Sequence, residues 1–191
     1  MCWCAYRTLL KKNGGKKMAS RESFISHALY IINTFHPTYL MGAGHFAPGG
    51  ASQYDCSGFV LSVILHELGS TGGCSYTGDM GGLVSLGFQH LPFSGFGNCK
   101  KGDVLVWNKP GTTGASADGH TEFVYDPNVP QTIGARGPKG NPASIGFSNP
   151  GWQDVYRYKG GLIPKMWSEG VIYDGVSGPG WSEGTIYDGI V

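Results

Sequence analysis

The feature that most constrains this chain of 191 residues is Cys56, which stands where a turn-rich loop meets an apolar segment. The apolar side chains after it recur at helical spacing, and Gly69 supplies a stop signal. Asp55 is a good N-cap residue, so Cys56 is predicted to lie in the first turn of a helix. The free N–H groups and the helix dipole favour a thiolate there. The segment therefore predicts either a prepared nucleophile or a small buried cysteine on a packed helix.

A histidine opens a later predicted strand. Two β-rich runs, 103–107 and 120–125, flank a loop rich in Gly, Thr and Ser. His120 is the first residue of the second run, and neutral imidazole is a suitable base near pH 7. A cysteine nucleophile needs such a base within hydrogen-bond reach, although the two need be adjacent only in the fold. His120 alone is typical of a surface residue, but together with Cys56 it predicts a Cys–His hydrolytic pair.

The order of the predicted elements indicates an α+β fold. The first helix is predicted from Ser20 to about Phe35, the cysteine helix follows, and a short helix is predicted at Asp79–Leu86 within a region that otherwise resembles a loop. Four strands are predicted, at Asp103–Trp107, His120–Tyr125, Thr132–Ala135 and Val155–Tyr158. Helices first and strands later predict an antiparallel sheet packed on the cysteine helix.

Three motifs together resemble the NlpC/P60 cysteine peptidases of the papain-like group. They are Tyr-Asp-Cys-Ser-Gly-Phe-Val at 54–60, Gly-Asp-Val-Leu-Val-Trp at 102–107 and Gly-His-Thr at 119–121. The long insertion between the first two is similar to that of peptidase domains in phage endolysins. The resemblance covers roughly residues 20–158. It implies the papain-like NlpC/P60 fold, no cofactor, and hydrolysis of amide bonds in the peptide of bacterial peptidoglycan.

The resemblance also implies roles for further residues. Tyr54, Asp55 and Ser57 occupy positions that contact substrate in the family. Most members carry a third polar residue, usually His, that orients the catalytic histidine, but Gly134 stands at that position here.

In some phage endolysin peptidases the orienting residue comes a few positions later, which points to Asn141. An amide can hold a histidine through its second ring nitrogen. Glu122 competes for the role, because residues two apart on a strand face the same side. Asn141 is favoured over Glu122, and a simple turn role for Asn141 stays open.

Charge is distributed unevenly along the chain, although the net charge is only +1. Residues 1–21 carry six basic and no acidic residues, and the remainder carries eight basic and 13 acidic residues. Nothing here favours nucleic acid as the partner. The basic arm, residues 1–19, could approach anionic wall polymers, or could be a solvated leader.

The sequence carries no secretory signal and no run of 18 apolar residues, so no membrane span is predicted. This pattern predicts a product made in the host cytoplasm that acts at the bacterial cell wall, or one associated with the virion. Two other functions stay open. One is a virion structural or adhesion protein that keeps the fold without activity, and the other is a papain-like acyltransferase.

The end of the chain carries a repeat. Trp-Ser-Glu-Gly-x-Ile-Tyr-Asp-Gly occurs at 167–175 and again at 181–189. The predicted organisation is therefore the arm, a hydrolase domain at 20–160 and a tail at 161–191. The tail could be a docked hairpin, or could bind the wall or the virion through its aromatic rings.

The five cysteines allow several arrangements. An odd count leaves at least one cysteine free in any paired scheme. Cys74 and Cys99 flank the inserted loop and could form a disulfide. No Cys or His pair with ligand spacing follows Cys2 and Cys4, so no metal site is predicted. His27 and His36 are interpreted as bystanders.

Overall fold

The computed structural model describes residues 19–45, 47, 50–70, 74–108 and 119–160. The chain divides into two units, Met1–Gly160 and Gly161–Val191, and every described residue belongs to the first. The predictions for the tail, and those for the basic arm up to residue 18, therefore lie outside the described residues.

The first helix, α1, spans Arg21–Phe35. The Ser20 hydroxyl accepts a hydrogen bond from the Ser23 N–H, and Ser23 bonds back to Ser20, which forms a capping box. The helix ends at His36, whose φ of 45° lies in the left-handed region, directly before Pro37. The predicted first helix is confirmed.

The second helix, α2, spans Cys56–Leu68 and begins with the cysteine. Asp55 is its N-cap, and Gly69 ends it in the left-handed conformation with a φ of 61°. Its first ten residues are all buried, because α2 lies between α1 and the sheet. The start of α2 is therefore held from several sides.

A six-stranded antiparallel sheet covers the helices, in the order β3-β8-β4-β5-β6-β7. Its strands are β3 (Phe88–Pro92), β4 (Val104–Asn108), β5 (Gly119–Asp126), β6 (Gln131–Gly134), β7 (Ser144–Gly146) and β8 (Asp154–Tyr158). Two short parallel strands, β1 (Thr38–Tyr39) and β2 (Gln53–Tyr54), precede α2. A 3₁₀ segment at Thr77–Leu86 occupies the position of the predicted short helix. The predicted α+β class is confirmed.

The sequence missed β3, β7 and the pair β1 and β2. Most side chains of β3 are exposed, so the apolar alternation that announces a strand is absent there. β7 has three residues and the other two strands have two each, which is too short for a periodic pattern. Their pairing is fixed by tertiary contacts.

Two apolar clusters pack on the sheet. The larger joins α1, α2 and the 3₁₀ segment to the sheet and includes Phe24, Phe59 and Phe123. The smaller contains Leu105, Val124, Trp152 and Val155. Within β5, Phe123 belongs to the first cluster and Val124 to the second, so the two clusters lie on opposite faces.

Candidate active site

The Asp55 carboxylate fixes the start of α2. One of its oxygens accepts hydrogen bonds from the Gly58 N–H at 2.6 Å and the Ser57 hydroxyl at 3.0 Å. The other accepts from the Gly42 N–H at 2.9 Å and lies 2.9 Å from His45 Nε2. Asp55 therefore caps the helix and also ties it to the preceding loop.

Gly58 allows that loop to pass directly over the first turn of α2. A Cβ at this position would overlap the Ala43 carbonyl oxygen, which is fixed by the Asp55 N–H at 3.0 Å. A glycine is required here by close approach rather than by backbone conformation. The contact sets the position of Cys56 relative to the loop.

The structure brings Cys56 and His120 together. The sulfur lies 3.7 Å from Thr77 Oγ1 and 3.9 Å from the carbonyl oxygen of Gly119, the residue before His120. The Cys56 side chain is also close enough to His120 to raise the pKa of its ring. Only 6% of Cys56 is exposed. The N-terminus of α2 and the start of β5 thus place a sulfur and an imidazole near each other.

Glu122 holds the other side of the His120 ring. His120 Nε2 donates to Glu122 Oε1 at 2.7 Å, which leaves Nδ1 available to Cys56. The ring also stacks on Trp152, with centroids 5.7 Å apart and planes at 21°. The imidazole is therefore fixed at Nε2 and on one face.

These contacts change the acidity of His120. Burial lowers the pKa of its imidazolium, but the hydrogen bonds and negative charges of Cys56 and Glu122 outweigh burial and raise that pKa to about 9. His120 therefore carries a proton near neutral pH.

Arg136 forms the next link. Its guanidinium donates to both Glu122 oxygens, at 3.0 and 2.7 Å, and also to the carbonyl oxygens of Thr132 and Ser144. Glu122 is fully buried, and an unpaired carboxylate there would be very costly. The guanidinium therefore supplies the counter-charge for Glu122, and the bidentate pair fixes its position.

Gly134 provides the space for Glu122. A Cβ at position 134 would lie 2.8 Å from Glu122 Cγ, closer than real Cβ contacts. This is the position at which the family resemblance implies a histidine. Here position 134, at the end of β6, has no side chain. The carboxylate of Glu122, which lies on β5 with His120, bonds to the histidine instead.

The orienting role predicted for Asn141 stays a prediction, and the described contacts favour its competitor Glu122. Asn141 is exposed, its carbonyl accepts from the Tyr39 N–H at 2.6 Å, and its N–H donates to the Pro138 carbonyl at 3.1 Å. Glu122 is instead the residue bonded to Nε2 of His120.

Tyr54, Asp55 and Ser57, for which substrate contacts are predicted, are all buried. Their exposed fractions are 0%, 5% and 4%, respectively. The Tyr54 hydroxyl donates to the Ala47 carbonyl at 3.0 Å, and Ser57 donates to Asp55. These bonds favour a role in packing behind the cysteine, and the substrate contacts stay a prediction.

Sequence reasoning missed Tyr39. Burial, followed by the negative charges of Cys56 and Asp55, raises the pKa of its phenol to about 12, so the hydroxyl keeps its proton beside the site. The hydroxyl lies 3.8 Å from Met41 Sδ. Because Tyr39 is placed by the pairing of β1 with β2, no local sequence signal could have identified it.

The disulfide considered for Cys74 and Cys99 is absent, since both are free thiols. They belong to different core clusters. Burial, and then a nearby carboxylate, raises their pKa values to about 12 and about 11, respectively. Neither is a prepared nucleophile.

Among the described residues, no helix combines the length and apolar character needed to cross a bilayer.

Comparison with known proteins gives the family. The family model described as bacteriophage peptidoglycan hydrolase matches residues 38–133, half of the chain, and this range contains Cys56, His120 and Glu122. No curated protein matches. The solved structure of NlpC1 from Trichomonas vaginalis is similar over 80% of this chain and 49% of that one, with a TM-score of 0.48 and 13% identity. The chain thus spans about half the length of that protein. On the family match, this chain belongs to the bacteriophage peptidoglycan hydrolase family.

Proposed function

We propose that this protein cleaves amide bonds in the peptide part of bacterial peptidoglycan, with Cys56 as the nucleophile. The observation that carries the proposal is the placement of Cys56, at the start of a buried helix, near His120, which is hydrogen-bonded to Glu122 and through it to Arg136. A nucleophile, a base and a group that orients the base are the parts that covalent acyl transfer requires.

The first step is attack by sulfur. The imidazolium of His120 and the N-terminus of α2 favour the thiolate of Cys56. The thiolate adds to the amide carbonyl, and negative charge develops on the carbonyl oxygen. The Cys56 N–H, in the first turn of α2, is a donor available to that oxygen.

The second step is loss of the amine. His120 donates its Nδ1 proton to the amide nitrogen, the C–N bond breaks, and a thioester remains on Cys56. Water then gives a proton to His120 and attacks the thioester carbonyl. The C–S bond breaks, a free carboxylate leaves, and the thiolate and imidazolium are restored.

Glu122 and Arg136 are positioning residues in this scheme. Glu122 fixes the tautomer and the ring plane of His120, and its charge favours the imidazolium form. Arg136 holds the fully buried Glu122 in place through two hydrogen bonds. This complete orienting group favours an active enzyme over an inactive relative that only keeps the fold.

The remaining predictions on location and docking accompany this function. The protein is proposed to be made in the host cytoplasm and to act at the cell wall, either after release or from the virion. Wall or virion docking through the tail remains a prediction.

The experiment is digestion of purified cell walls by the full chain, with mass spectrometry of the fragments. Cys56→Ala should abolish the release of new amine and carboxylate ends and leave the fold intact. Cys74→Ala is the matched control, because it removes a buried thiol outside the site. Undiminished digestion by Cys56→Ala would refute the proposal. Transfer of the acyl group to an added amine, without a free carboxylate, would instead indicate an acyltransferase.

A further inference from the structure

We propose that His27, His66 and Glu67 form a binding site for one divalent transition-metal ion of the zinc class, which joins the two helices. The donor atoms of these three side chains lie within 4.8 Å of one another, and no other such group of three occurs among the described residues. The site is separate from the hydrolytic one, because eleven helical residues, about 16 Å, separate Glu67 from Cys56.

The spacing of the donors suits a shared ion. His27 Nδ1 lies 3.5 Å from Glu67 Oε1. Two ligands of a tetrahedral zinc ion, each about 2.1 Å from the metal, are about 3.4 Å apart. The two buried donors are therefore already at coordination spacing, and only the third has to approach.

The third donor, His66, lies at the surface. His66 is exposed on the last turn of α2, and its ring lies over that of His27 with centroids 4.0 Å apart. The planes are only 25° apart, so a side-chain rotation of His66 is needed to direct both lone pairs at one ion. An exposed side chain can make this rotation without disturbing the core.

The surroundings favour a cation. The side chains of His27 and Glu67 are 3% and 4% exposed, so the carboxylate lies away from bulk water between the helices. The C-terminal end of α2, where His66 and Glu67 lie, carries the negative end of the helix dipole. Two imidazoles and one carboxylate match zinc and its neighbours better than calcium or magnesium, which prefer all-oxygen sites. The fourth position would face solvent beside His66.

The site would act as a clip between α1 and α2. His27 lies on the buried side of α1, next to the core residue Ala28. An ion that binds the folded but not the unfolded chain stabilises the fold by mass action. The proposed clip does not depend on the hydrolytic mechanism.

The test is zinc titration of the full chain carrying Cys56→Ala, which removes the catalytic thiol as a competing ligand. We expect one ion per chain and a melting temperature raised by about 5 °C or more at a hundredfold excess over Kd. Adding His66→Ala should weaken binding by at least about tenfold, since even outer partners of a metal are worth that much. Glu67→Gln should do the same.

His90→Ala is the matched control. His90 is another exposed histidine, 2.6 Å from the carboxylate of Asp154, but it lacks a third ligand and its removal should leave zinc affinity unchanged. Cobalt(II) gives a second readout, because the proposed site predicts visible d–d bands without thiolate charge transfer. Zinc affinity unchanged by His66→Ala, or a cobalt spectrum dominated by thiolate ligation, would overturn the proposal.

Discussion

Replacement of Glu122 by glutamine probes the positioning network at its centre. The amide keeps the shape of the side chain but removes its charge. Both Glu122 oxygens accept hydrogen bonds, so the NH₂ group that replaces one of them faces another donor. One charge-assisted hydrogen bond, to His120 at 2.7 Å, is lost or weakened. Such bonds contribute about 1.5–3 kcal/mol, so kcat/KM on cell-wall fragments should fall by about 10- to 150-fold.

The same change also affects stability. Arg136 loses its partner in a buried ion pair, which typically costs about 3–5 kcal/mol. The double variant Glu122→Gln/Arg136→Met removes both charges, and we expect it to regain most of the lost stability because the guanidinium no longer needs a counter-charge. Its activity should stay low, since His120 still lacks its carboxylate partner.

Hydrolysis kinetics and thermal unfolding, measured on both variants, separate the two effects. Asp154→Asn is the control, because it removes the carboxylate from the His90 pair outside the site. Wild-type activity in the refolded double variant would refute the role of Glu122. Loss of activity in Asp154→Asn to the same degree would show that the assay reports general damage.

Three further predictions concern the same site. The pKa of His120 is raised from 6.5 to about 9, so the stabilisation by its positive charge is complete below pH 6.5 and is lost as the pH rises through 9. Both the free energy of unfolding and kcat/KM should therefore decline around pH 9. Glu122→Gln should move this decline in kcat/KM to lower pH. Asp55→Ala removes the N-cap of α2 and the hydrogen bond from the Gly42 N–H, so the free energy of unfolding should fall by about 1–2 kcal/mol in denaturant titrations. An unchanged unfolding midpoint would contradict the capping role. Gly134→Ala should displace Glu122 and reduce hydrolysis, and full activity would show that the space at Gly134 is not needed.

Local sequence signals were sufficient for the parts of the fold that local physics determines. The N-cap at Asp55 and the left-handed glycine at Gly69 marked the bounds of α2, and the structure has them there. The strand beginning near His120 was marked by its β-rich composition. These signals sit within a few residues of the features they predict.

The orienting group of His120 could not be chosen from sequence alone. Glu122 was recognised as a competitor through strand alternation, but its partner Arg136 lies fourteen residues away, just after the end of β6. The space that Gly134 leaves is visible only when β5 and β6 are paired. Asn141 was favoured by a positional resemblance that carried no information on hydrogen bonds.

The burial of the residues beside the cysteine was not predicted from the sequence. Tyr54 and Ser57 belong to the most recognisable motif of the chain, yet both are almost completely buried. A motif shows that the residue type at a position matters. Packing behind a nucleophile can restrict the residue type as strongly as contact with a substrate. Tyr39 remained hidden because a tertiary pairing places it.

The most direct test of a thiolate at Cys56 is its rate of alkylation by iodoacetamide at pH 7, located by peptide mapping. Cys74 and Cys99, whose thiol pKa values are about 12 and about 11, provide internal references. The account predicts that Cys56 reacts at least about 100-fold faster than either reference and that His120→Ala removes most of the difference. Equal rates at all three cysteines in the native protein would contradict it.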